Sequence, residues 1–205
     1  MEIKIITYII LFIIIIVMFI FPKVPYFNKI YTTYKEIDFL STSNTQHLLK
    51  NHQSFYKTFT PLDIKARNVS TVDEYVQKVG ENSVCSFSLY EKFRLAKCVT
   101  SVNHFLKGVK LENANLTEKH KYSFVFDQID TIRWRIGCIK GKFYENGMPH
   151  TVDNVIIFSK QMMKTYTDEQ LIHTLIHEKV HVFQKLFSSD MKNYLNHNHY
   201  IPIER

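Results

Sequence analysis

Seventeen residues from Ile5 to Phe21, IITYIILFIIIIVMFIF, contain one clearly polar side chain, Thr7. A run so apolar finds no surface position in a small domain, and its length lies at the short end of what spans a bilayer as a helix. The FPKVPYF that follows is bulky where a cleavage site needs small residues, so the expectation is a retained signal anchor over residues 1–22. Pro22 and Pro25 close it. The expected partner of residues 5–21 is therefore the lipid bilayer, and the expected localisation is a membrane crossed once.

Orientation stays open. Lys4 stands before the run and Lys23, Lys29 and Lys35 after it, a distribution that mildly favours a cytosolic C-terminal domain. Against this, NVS at Asn68 and NLT at Asn115 are glycosylation acceptors that matter only in a secretory lumen. A host or a virion membrane would suit either arrangement.

The rest of the chain has the apolar content of a globular body. Of the 205 residues 45% are hydrophobic and 14% aromatic, enough to bury a core and too much for disorder. The net charge of +7 comes from single Lys and Arg residues scattered among acids, with no basic block, so no nucleic-acid partner is expected. Cys85, Cys98 and Cys138 allow at most one internal disulfide with one thiol left over, and no pair has metal-ligand spacing.

Residues 23–60 are polar and aromatic with weak periodicity, and read as a stalk or linker with one helical piece. The globular domain is expected over 61–205. Thr71 with Glu74 reads as a capping box opening a short helix that Gly80 ends, and a longer helix is predicted from Ser83 to about Leu106. Between Lys121 and Lys160, YSFVFDQI, TIRWRIGCI and NVIIFSK are β-branched and aromatic runs separated by turn formers, hence three strands. Helices, then a small sheet, then a last helix give an α+β fold class.

That last helix carries the chemistry. In TDEQLIHTLIHEKVHVFQKLF, Thr167 to Phe187, Thr167 and Gln170 form a capping box, with Asp168 and Glu169 on the first turn. At 100° per residue the Leu, Ile, Val and Phe residues fill half of the wheel, while His173, His177, His181, Thr174, Gln184 and Glu178 share the other half. His177 and His181 are four apart and lie one above the other, so their imidazoles can converge on one metal ion. Glu178 sits one residue round, placed to take a proton from a metal-bound water without ligating the metal. His173 cannot join both others, because four residues rise about 6 Å, and it reads as a supporting or surface histidine. Lys179 falls in the apolar arc without an evident reason.

These residues resemble the zincin metallopeptidases, whose His-Glu-x-x-His helix lies beneath a small sheet with an edge strand that aligns peptide substrate. The wider run YENGMPHTVDNVIIFSK with TLIHEKVHVFQK is also similar to zinc-peptidase-like proteins encoded by large DNA viruses. The likeness covers about Trp134 to Leu186. It implies a Zn²⁺ cofactor held by His177 and His181, Glu178 as the catalytic base, NVIIFSK as the substrate-aligning strand, and hydrolysis of a peptide bond. His150 in GMPHT and Tyr144 are then candidates to polarise the scissile carbonyl or hold an oxyanion.

The third ligand departs from the family. Metzincins need Gly three and His six residues after His181, where Gln184 and Phe187 stand; gluzincins place a Glu about twenty residues on, where Tyr200 and Ile201 stand. Asp190, His197, His199 and Glu204 remain. Glu204 is the foremost candidate and His199 the runner-up. The alternative reading is a non-catalytic, membrane-anchored structural or interaction protein, viral in that resemblance, which retains a zincin-like helix without turnover.

Overall fold

The computed structural model describes residues 25–108, 128–141, 144–189 and 191–192. The expected anchor lies outside them, and among the described residues no helix is long and apolar enough to cross a membrane. In chain order the elements are α1 (Pro25–Glu36), β1 (Asp38–Phe39), α2 (Thr42–Lys50), α3 (Gln53–Tyr56), α4 (Pro61–Ala66), α5 (Val72–Asn82), α6 (Leu89–Gly108), β2 (Arg135–Ile139), β3 (His150–Val152), β4 (Val155–Ser159), α7 (Lys160–Thr165) and α8 (Asp168–Leu186). The architecture is α+β, with these helices around a four-stranded mixed sheet of order β1-β2-β4-β3.

β1, β2 and β4 run parallel, and β3 is antiparallel at the edge. A strand turns successive side chains to opposite faces, and both faces of this sheet are covered. Ile136, Cys138, Ile156 and Phe158 face a core built with Leu95, Val99 and Val102 of α6 and Leu171, Leu175, Val182 and Phe183 of α8. Ile139, Val155 and Ile157 face a second core with Leu49 of α2, Tyr56 of α3, Val79 of α5 and Tyr144. All five residues of β4 are buried, which is why Val155 to Phe158 is an unbroken apolar run. Gly137 lets α2 approach the sheet, since a Cβ there would lie 2.8 Å from Ile157 Cδ1 and 3.2 Å from Thr45 Cγ2.

Several elements depart from the sequence expectations. NVIIFSK is not the edge strand: β4 is flanked by β2 and β3, and the edge beside α8 is His150–Val152. The long helix begins at Leu89 rather than Ser83, because Ser83 to Cys85 is drawn against β2. Lys140 N–H donates to Ser83 O (2.6 Å), Cys85 N–H to Cys138 O (3.1 Å), and Val84 bridges Ile139. Ser88 and Glu91 then start α6 by bonding each other's backbone N–H. Thr71 caps α5, but Glu74 reaches Ser70 N–H and the helix passes Gly80 to Asn82.

The segment expected as a stalk holds α1, β1, α2 and α3 from Pro25 onward, and its Thr33, Ile37, Thr45, Leu49 and Tyr56 are buried. Of the three predicted strands, TIRWRIGCI supplies β2 and NVIIFSK supplies β4. YSFVFDQI lies largely outside the described residues, and Gln128 and Ile129 at its end are helical.

Candidate metal centre

α8 is fixed at both ends. Thr167 and Gln170 form the reciprocal capping box. Asp168 on the first turn accepts from Arg94 Nε (2.7 Å) and Lys97 Nζ (2.9 Å), and those two cations hold its carboxyl below the usual range. Arg94 also donates to the carbonyls of Met163 (2.6 Å) and Tyr166 (2.5 Å). Near the C-terminal end Lys185 Nζ donates to the Thr151 carbonyl of β3. The helix is thus clamped to α6 and to the edge strand.

On its outer face His177 and His181 approach each other edge to face, with Nε2 atoms 3.0 Å apart. His181 Nδ1 lies 2.9 Å from Gln184 Oε1. With the amide oxygen so placed, His181 Nδ1–H donates to it and His181 Nε2 accepts from His177 Nε2–H, a proton that a bound metal would displace. Zn–N bonds of ~2.05 Å at the tetrahedral angle separate two nitrogens by about 3.3 Å. The pair fits zinc after spreading by a few tenths of an ångström. His173, one turn earlier, is exposed and lies outside this contact.

Glu178 is not on the open face with them. It is 3% exposed, and its Oε2 accepts from Thr151 Oγ1 at 2.7 Å, so the carboxylate is fixed under β3. Lys179, the anomaly of the apolar arc, is also buried: its Nζ donates to Ile132 O and lies 4.0 Å from the centroid of Trp134. Trp134 Nε1 donates to Asn103 Oδ1 (2.9 Å), so the indole is part of the core with its polar atom satisfied.

His150 and Tyr144 lie round the edge of β3 from Glu178. Thr151 turns to α8, and the neighbouring His150 turns to the opposite face. There a pocket of about 390 Å³ is lined by His52, Phe55, Tyr144, His150, Thr151 and Lys185 among others. Neither His177 nor His181 lines it. Three of its wall atoms, His52 Nδ1, Tyr144 Oη and His150 Nε2, are buried with no hydrogen-bond partner among the described residues.

His150 Nδ1 donates to Met148 O (3.0 Å), and burial lowers its pKa despite the attraction of that carbonyl, Glu145 and Glu178. Neutral His150 therefore presents an acceptor at Nε2, and holding an oxyanion there would need the disfavoured cation. Burial likewise lowers the pKa of His52 and raises that of Tyr144, so all three groups are neutral near pH 7. Glu145 has φ 43°, the first of three successive positive values. Its carboxylate is held in that turn by both oxygens on Arg67 Nη2 (3.1 and 3.0 Å) and by Tyr75 (3.0 Å).

Among the described residues no group of three or more His, Cys, Asp or Glu could hold a metal. Asp190, His197, His199 and Glu204 lie outside the described residues. His52, Thr151 and Lys185 were not singled out from sequence. Thr151 stood next to His150 and Lys185 next to Gln184, whereas His52 was hidden in the expected stalk. No family model, curated protein or solved structure matches this chain.

Proposed function

We propose that the protein is a membrane-anchored, zinc-dependent metallopeptidase, its anchor formed by residues 5–21. The observation that carries this reading is the convergence of His177 Nε2 and His181 Nε2 to 3.0 Å on a capped helix, with Gln184 setting the tautomer of His181. These two histidines hold the zinc, and the third ligand comes from the C-terminal segment, Glu204 first and His199 second. Bound there, zinc supplies Lewis acidity toward water and a peptide carbonyl.

The other steps belong to the chain. Glu178 accepts the proton released as water attacks, and returns it to the leaving amine. Thr151 aims that carboxylate, and Lys185 orients β3 through the Thr151 carbonyl. The pocket beside the edge strand takes a substrate side chain: its rings supply apolar contact, and His150 Nε2 accepts from a donor on that side chain.

The non-catalytic alternative also has an observation in its favour. Glu178 is 3% exposed and already bonded to Thr151, as a structural carboxylate would be. Glu178→Gln separates the two, because the amide oxygen still accepts from Thr151. Under the peptidase reading, hydrolysis of a quenched peptide library falls by about 10²–10⁴-fold in this variant while zinc content stays at the wild-type level. Equal hydrolysis by wild type and variant, or none by a zinc-loaded wild type, would remove Glu178 from catalysis.

A further inference from the structure

The three cysteines leave the pairing of any disulfide open in the sequence, and the fold narrows it to one pair. Val84 bridges Ile139 in antiparallel register. Cys85 and Cys138 are therefore directly opposite each other, joined by the bond from Cys85 N–H to Cys138 O (3.1 Å). Their Sγ atoms are 2.8 Å apart. A disulfide is about 2.05 Å long, so bonding asks the sulfurs to approach by under ~1 Å. Cys98 is elsewhere, on α6, with its thiol against the Asp168 carbonyl at 3.8 Å.

We propose that Cys85 and Cys138 form a reversible disulfide that ties the segment before α6 to strand β2. All three cysteines are free thiols in this structure, so bond formation needs an oxidant, and a small-molecule disulfide such as oxidised glutathione serves. The Cys85 thiolate attacks one glutathione sulfur, giving a mixed disulfide and one glutathione thiolate. The Cys138 thiolate then attacks Cys85 Sγ and expels the second. Two protein thiols are oxidised, one glutathione disulfide is reduced, and the two protons lost from the cysteines appear on two glutathione thiols.

The order of attack follows from the surroundings. Cys85 is half-buried and open to a reagent, whereas Cys138 is fully buried in the core. The hydrogen bond from the Cys138 thiol favours the Cys85 thiolate, as do Lys160 and Lys140 nearby, and these outweigh its burial. The same contact and burial push the Cys138 thiol up. Cys98 is raised to about 11 by burial, which keeps it a thiol and out of the exchange.

The test uses the full-length chain in detergent, incubated with oxidised and reduced glutathione over a range of ratios, quenched with iodoacetamide, digested and mapped by mass spectrometry. The expected product is one linked peptide pair, Cys85 with Cys138, with Cys98 alkylated only after denaturation. Reduction should return both to alkylatable thiols. Wild-type protein in which Cys85 and Cys138 stay separately alkylated in excess oxidised glutathione overturns the proposal. So does a Cys85–glutathione adduct that never resolves, or a linkage through Cys98. Cys85→Ser should leave Cys138 unlinked; if that variant fails to fold, the wild-type map decides alone.

Discussion

At the residue scale, the side chain that periodicity left unexplained has a physical account. Lys179 sits in the apolar arc because Trp134 and the Ile132 carbonyl receive its amino group. Burial lowers its pKa from 10.5 to about 7, with Asp130 opposing. Its folded pKa lies below its unfolded one, so the unfolded chain binds more protons between those two values and stability rises with pH across that window. The stabilisation is fully present above about pH 10.5 and lost as pH falls to about 7. Denaturant melts from pH 7 to 10 should show that rise, and Lys179→Met should flatten it; an unchanged slope in the variant would assign the effect elsewhere. Sequence could name Lys179 as odd but not find its partners, since Ile132 and Trp134 are distant in the chain. Glu178 was misplaced on the wheel for a related reason: a projection cannot tell that β3 covers one side of the polar arc. Thr151→Val, which removes the only side-chain donor to that buried carboxylate among the described residues, should cost about 1–3 kcal/mol in urea unfolding, whereas Glu178→Gln should cost less.

At the element scale, α8 was legible because its information is local: a cap at Thr167, a Gln three residues on, and an apolar stripe over five turns. β2 and β4 were legible as β-branched and aromatic runs between turn formers. β1 and β3, of two and three residues, are too short to show alternation, and they exist because β2 and β4 give them a partner. The start of α6 was misjudged because the pairing of Ser83 to Cys85 with β2 outcompetes local helix propensity. The clamp on α8 is non-local in the same sense. Arg94→Ala removes the donor to Asp168, Met163 and Tyr166 together and should lower stability by about 2–4 kcal/mol, measured by urea unfolding. A loss under ~0.5 kcal/mol would mean that α7 and α8 are held by packing alone. Gly137→Ala should cost about 1–3 kcal/mol by overpacking the sheet against α2.

At the scale of the whole molecule, both faces of the sheet are covered, and the edge of β3 and the outer face of α8 carry the groups that the proposed function uses. The α+β class and the motif helix were readable from order and spacing. The contribution of residues 25–60 was not, because their apolar residues are spread over short helices and one two-residue strand, each with too few turns to give a period. Nor could sequence place His52 with His150, residues that α3 and β3 bring to one pocket. Zinc per chain of the purified protein, measured beside His177→Ala, Glu204→Ala and His199→Ala and with each variant checked for folding by circular dichroism, tests the metal site directly. About one zinc is expected in the wild type, lost with His177 and with one of the two C-terminal candidates, Glu204 first. A well-folded wild type that binds no zinc, or that keeps it without His177, would contradict it.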